Sequence, residues 1–499
     1  MNTAMYSTHR CSPCGKSNGP SAVTALLSCT LAVTASAAGV GAEAELGERP
    51  VIGHHYEQQA IEDGHYGLAE LVRAGRMLFD ARFNLLDGQG RPQTTGGGAP
   101  RAPGQPAFIR TSAPEANSCT GCHAQPGSGG AGDFVANVFV LAQTLDPVTE
   151  SVDGAFSNER NTLGMFGAGA IEMLAREMSA DLIAIRETAR AAAQEQNQPV
   201  TLPLLSKGVS FGTVTLLPDG RIDPTGIEGV DWDLIVKPFH QKGAVVSLRE
   251  FSNNAMNHHH GMQSTERFGA GVDPDHDGVL NELSGGDITA VTLFQAALPA
   301  PRPAQPRNAA VAKAIRSGEA VFSDLGCGRC HRPELLLESR EFTEPNPSNP
   351  PGNLRPEDTT AVFGFDLVHT SNSPFVQSLG HGQVAVRAFT DLKRHDLNDA
   401  ELNHFANEQV PQGRLNGFAN PADFTIAPAP RPTGAFLSRK LWDVGNSDPY
   451  GHRGDLTTLT EAIWFHGGEA RAERDAFFAL PQARQDEVIE FLKSMVVAD

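Results

Sequence analysis

Two short stretches carry residue types whose spacing does chemistry. Cys327-Gly328-Arg329-Cys330-His331 and Cys119-Thr120-Gly121-Cys122-His123 both read Cys-x-x-Cys-His. Two thiols at this spacing, followed at once by an imidazole, form the attachment sequence of a c-type haem. The thiols add to the haem vinyl groups, and the histidine becomes the proximal iron ligand. The chain has seven cysteines, and Cys11, Cys14 and Cys29 lie in an N-terminal stretch that looks removable. What remains is the two pairs. A redox Cys-x-x-Cys pair or two halves of a zinc site would draw on the same thiols. Neither explains a histidine directly after both pairs. Two covalent haems are therefore expected, held by Cys119, Cys122, His123, Cys327, Cys330 and His331.

Other residues gather around this chemistry. His258, His259 and His260 are adjacent, with Met262 and Gln263 just beyond. They read as a metal patch, a surface run, or the distal side of the first haem. In a two-haem protein the distal side is the better reading, where one imidazole approaches the iron or moves a proton on a bound peroxide. Asp273, Asp275 and Asp277 alternate, and Gly278 sits at position six, as in a calcium loop. Ser284 occupies position twelve, so Glu282 or Asp287 must replace the usual glutamate. Lying just before a proline-rich linker, this loop would tie the two halves of the chain together. Met173 and Met178 are candidate iron ligands, but their helical spacing favours packing.

The elements that must position these groups are mostly helical. Leu68, Leu71, Val72, Gly75 and Phe79 share a helix face ahead of the first motif. Val311, Ile315, Phe322 and Leu325 do the same ahead of the second. Ile171 to Ile185 forms a strong amphipathic helix, and Val488, Phe491, Leu492 and Met495 mark the last one. Val209 to Ile222 alternates around Pro218-Asp219-Gly220, the pattern of a β-hairpin. With 51 Gly and 34 Pro, long irregular connections are expected. The expected fold is mainly α, with two cytochrome c-like haem domains, long loops and a small hairpin insertion. The boundaries read as a signal peptide over 1–38, an N-terminal haem domain over 45–300 and a C-terminal one over 307–499.

Arg10 and Lys16 precede an apolar run from Ala22 to Ala38 that ends in Ala35-Ser36-Ala37, a secretory pattern. The run is too short and polar for a stable membrane span. Export to the periplasm is expected. The net charge of −19 argues against nucleic acid as a partner.

Together these stretches resemble the bacterial di-haem oxidoreductases, and more distantly the di-haem cytochrome c peroxidases. The resemblance is most specific over 118–123, 257–269, 273–290, 342–356 and 440–470. It implies peroxide reduction at the N-terminal haem, with electrons relayed by the C-terminal haem from a small redox protein. It also implies that His466 stands where the peroxidases carry a ligating Met after a Thr-Leu pair, here Thr458-Leu459. Its rivals are His395 and His452, and Gly467-Gly468 would let backbone lie close to a haem face. The chain departs from the peroxidases at Gln241, where they have Trp, and near Gly261, where they have a catalytic Glu. His260, Gln263 or Glu266 are left to supply the missing polar group. An electron-transfer cytochrome without catalysis, or an oxidase or oxygenase acting on an organic substrate, are the alternative functions.

Overall fold

Each Cys-x-x-Cys-His motif is approached by a helix that crosses a later helix through a glycine. This is seen in a computed structural model that describes residues 47–90, 116–137, 159–273, 275, 277–404, 420–427 and 431–497. The Leu68–Asp80 helix buries Leu71, Ala74, Gly75, Leu78 and Phe79. It packs on the Gly285–Ala296 helix, which starts in a Ser284/Asp287 capping box. The Ala309–Asp324 helix, capped by Asn308, buries Gly318, Val321 and Phe322 and packs on Gln482–Lys493. A Cβ at Gly75 would lie 2.5 Å from the Ala290 carbonyl carbon and 2.8 Å from Phe294 Cβ. A Cβ at Gly318 would lie 2.5 Å from the Glu487 carbonyl carbon and 2.9 Å from Phe491 Cβ. Only glycine lets either pair approach this closely.

One turn further on, each helix places a phenylalanine against its motif. Phe79 meets Phe294 at 5.2 Å and His123 at 6.1 Å between ring centroids. Phe322 meets Phe491 at 5.5 Å and His331 at 6.3 Å. The glycine, the phenylalanine and the histidine thus recur in one arrangement, at two places in one chain.

The fold is not mainly α. Eleven α-helices among the described residues stand beside fourteen strands in six small sheets. The hairpin of Val209–Leu216 with Ile222–Asp223 gains a third strand, Val200–Ser206. The other strands are short and pair across loops. Leu335–Leu337 joins Gln383–Val386, and Glu341–Glu344 joins Phe363–Asp366. Pairing between such separated short segments leaves no local alternation to read. Two cytochrome c-like domains are not seen either. Residues Arg49–Asp499 form one compact unit, and the largest of its buried clusters includes Phe79, Ile171, Phe322, Phe389, Trp442 and Phe491. The proline-rich stretch is no free linker, because Arg302–Pro303 pairs with Met495–Val496. Met495 thereby leaves the last helix for a strand. Met173 and Met178 are buried in the Ala168–Gln196 helix as packing residues. The expected signal peptide and Arg10 to Ala38 lie outside the described residues.

Candidate functional site

The first motif opens into a cavity of about 210 Å³. Cys119, Cys122 and His123 line it, together with His240, His259, His260 and His452. His123 bonds through Nδ1 to the Gly130 carbonyl at 3.1 Å and lines the cavity. Burial pushes its pKa down to about 4, so the ring is the neutral imidazole a metal requires. The histidine run begins as the Leu248–Ala255 helix, capped by Ser247, widens into a π-turn over Met256–His260. Such widenings within helices are frequent at functional sites. Gly261 ends it at φ 76, packed on the Gly90 backbone. His260 has both ring nitrogens engaged, Nδ1 with the Ala116 carbonyl at 2.6 Å and Nε2 with Cys119 Sγ at 3.5 Å.

The second motif opens into a larger cavity of about 590 Å³. Cys327, Cys330, His331 and His466 line it. His331 Nδ1 lies 3.1 Å from the carbonyls of both Phe389 and Arg439. Phe389 holds φ at 54, which L-residues rarely adopt. His466 Nδ1 lies 2.7 Å from the Ala462 carbonyl, at the end of the Leu459–Trp464 helix. That helix begins in a Thr458/Glu461 capping box, the Thr-x-x-Glu signature in the sequence. The two ring centroids lie 6.4 Å apart, with the ring planes inclined at 51°. Two imidazoles on one metal, each bonded at about 2 Å, place their centroids roughly 6 to 6.5 Å apart. Tying Nδ1 to a carbonyl while Nε2 stays free is how proteins orient a metal-binding histidine. Burial lowers the pKa of both, His331 to about 4. The residues therefore fit a haem iron held between His331 and His466.

The rival histidines are engaged elsewhere. His395 lies between Asp391 Oδ2 at 2.9 Å and Glu469 Oε2 at 2.8 Å. Against the cost of burial, bonds to Asp391, Cys330 and Glu469 raise its pKa to about 11. His452 Nδ1 contacts Gln241 Oε1, and burial lowers its pKa to about 3. Gly467 and Gly468 pack on the backbone of Leu397 and Asp396 rather than on the cavity.

The two cavities share a wall. Asn161, Thr162, Leu163, Gln241, Leu437, Ser438, Arg439, Lys440 and His452 border both. Asp231 pins this region, pairing with Lys237 at 2.5 Å and Arg394 at 2.9 Å. Sequence reasoning missed Arg439 and Lys440. No local pattern distinguishes them from surface cations.

The remaining expected residues fall elsewhere. His258 does not border the first cavity, and burial holds its pKa well below the ordinary value. Gln263 and Glu266 are also set back. The Gln263 N–H donates to Glu282 Oε2 at 2.8 Å, and Glu266 lies 3.4 Å from Arg249. Asp273, Asp275 and Asp277 bring their carboxylates together. Asp275 is 2% exposed, and neither of its oxygens has a hydrogen-bond partner. Burial, then Asp277, raises its pKa to about 7, and burial raises that of nearby Glu282 to about 10. Of the two alternatives, Asp287 is occupied by Ser284, Tyr56 and His55, and Glu282 accepts from the Gln263 N–H. Pro274 and His276 lie outside the described residues.

Burial raises the Cys119 thiol to about 12 and the Cys327 thiol to about 11, and Cys330 lies with Asp391 and His395. Among the described residues, no cluster of metal-binding side chains joins the two cysteine pairs.

Residues 375–495 match the family described as "Di-haem oxidoreductase, putative peroxidase". The resemblance to di-haem oxidoreductases holds over that stretch, which contains His395, His452 and His466, and the family implies haem as cofactor. No curated protein matches the chain. Among solved structures, a chain of Kuenenia stuttgartiensis hydrazine synthase, pressurised with xenon, aligns at 16% identity. The alignment covers 62% of this chain and 87% of that one, with a TM-score of 0.26, too slight to define the fold. No helix among the described residues is long and apolar enough to cross a membrane.

Proposed function

We propose that the protein is an exported di-c-haem oxidoreductase that reduces hydrogen peroxide with electrons from a small redox protein. The observation that carries this reading is the pair of adjoining cavities. One holds His331 beside His466, and the other surrounds His123 with additional histidines. Haem bound there supplies one-electron chemistry and, at an open iron, a position for a small oxidant. Cys119 with Cys122, and Cys327 with Cys330, are the covalent attachment points.

The protein's own groups divide the remaining work. His331 and His466 hold the relay site rigidly, which suits electron passage with little rearrangement. In the first cavity His259, which borders it, takes and returns the proton. Reduction of one peroxide to two waters consumes two electrons and two protons, one electron from each site. Asp273, Asp275, Asp277 and Glu282 bind calcium on the same reading. Rapid mixing of the fully reduced protein with one equivalent of peroxide tests the proposal. Both haems should oxidise, and His259→Gln should slow the reaction. If the haems stay reduced, the protein is an electron-transfer cytochrome.

A further inference from the structure

Arg439 belongs to both sites at once. It lies in the wall that separates the two cavities and borders each. Its backbone carbonyl accepts the hydrogen bond from His331 Nδ1 at 3.1 Å. Its guanidinium Nη1 is shut off from solvent and has no hydrogen-bond partner. Neighbouring Lys440 differs, since its Nζ donates to the Phe166 carbonyl at 2.5 Å. The acid closest in effect to Arg439 is Asp443. One oxygen of Asp443 is taken by the Val497 N–H at 2.8 Å and by Asn446 at 3.2 Å, and the other has no partner.

A guanidinium nitrogen shut off from solvent without a partner is costly. Arg439 borders both cavities, so an anionic group seated in one of them would offset that cost. A guanidinium matches a carboxylate with two parallel hydrogen bonds. Each haem carries two propionate carboxylates, so a haem seated at either motif brings the required chemistry. Arg439 lines the first cavity together with His123.

We propose that Arg439 joins the two redox sites, its carbonyl orienting His331 of the second and its guanidinium binding a propionate of the haem in the first. This rests on the reading that both cavities hold haem. Removing the guanidinium leaves that propionate uncompensated, which stabilises the ferric state of the first haem. The backbone carbonyl, and with it the His331 hydrogen bond, survives the substitution.

The test uses the haem-loaded protein and its Arg439→Gln and Arg439→Lys variants. Spectroelectrochemical titration should show the first haem of the Gln variant harder to reduce by tenfold or more, about 59 mV for one electron. The Lys variant, which keeps the charge, should fall between Gln and wild type. The covalent haem count and the low-spin spectrum of the second haem should stay as in wild type. Acetate, a free carboxylate, should leave the wild-type spectrum unchanged. An unmoved potential in the Gln variant overturns the proposal. So does a spectral response of the wild type to acetate, which makes Arg439 a site for free anions. Fewer than two covalent haems in the wild type instead defeats the underlying haem reading.

Discussion

Replacing Gly318 by alanine tests whether the helix crossing holds the second site. The new Cβ would lie 2.5 Å from the Glu487 carbonyl carbon and 2.9 Å from Phe491 Cβ. Carbon atoms rest at about 3.5 to 4 Å, so the Gln482–Lys493 helix must retreat by roughly 1 Å. The obstruction is backbone, which no rotamer change relieves. Overpacking of this kind costs about 1 to 3 kcal/mol, and alanine's better helix propensity returns about 1 kcal/mol. The contact is with backbone, so we place the overpacking cost at the upper end and the net loss at about 2 kcal/mol. The retreat also loosens Phe322, which packs on both Phe491 and His331. Gly75→Ala meets the same obstruction at Ala290 and Phe294. Urea unfolding of the haem-loaded protein should show both losses. The spectral change should appear at the second haem for Gly318→Ala and at the first for Gly75→Ala. Unchanged stability in both variants would refute the crossing as a structural constraint.

His466→Ala should convert one haem of two from low-spin to high-spin without changing the covalent haem count, as read by electronic absorption and mass. His395 and His452 already have ring nitrogens engaged, so neither should rescue the site. His395 also sets a pH dependence. Its folded pKa of about 11 exceeds the ordinary 6.5, so its stabilisation is complete below pH 6.5 and is lost as pH rises through 11. His395→Gln should flatten the alkaline fall in stability between pH 7 and 10, and an equally steep fall would remove the ion cluster from the account. Isothermal titration of metal-depleted protein should show calcium binding that Asp275→Asn abolishes. Because Glu282 holds the Gln263 N–H next to the histidine turn, calcium should alter the first haem spectrum more than the second. Absence of binding ends the calcium assignment.

The chemistry was legible in the sequence wherever it is written in neighbouring residues. The Cys-x-x-Cys-His motifs, the alternating aspartates and the amphipathic helix faces all depend on local spacing. His466 was reached through the family resemblance, on the Thr458-Leu459 pair that opens the short helix before it. Gly75 lay on an expected helix face, whereas Gly318 was not singled out, and the role of each depends on Ala290 and Glu487, far along the chain. The sheets were hidden for the same reason, since their strands pair across loops and bury few residues each. Most opaque was the wall between the cavities. It draws on 161–163, Gln241, 437–440 and His452, segments that no periodicity connects. Asp275 was legible as a ligand type, but its burial without partners was not.

The central claim is that the two motifs hold haems with different surroundings, one fixed between two imidazoles and one open to an oxidant. Low-temperature electron paramagnetic resonance of the oxidised, haem-loaded protein reads both irons at once. We predict one low-spin ferric signal, lost on His466→Ala, beside one high-spin ferric signal of equal weight that peroxide perturbs. Two low-spin signals indifferent to peroxide in both oxidised and half-reduced protein would contradict the account.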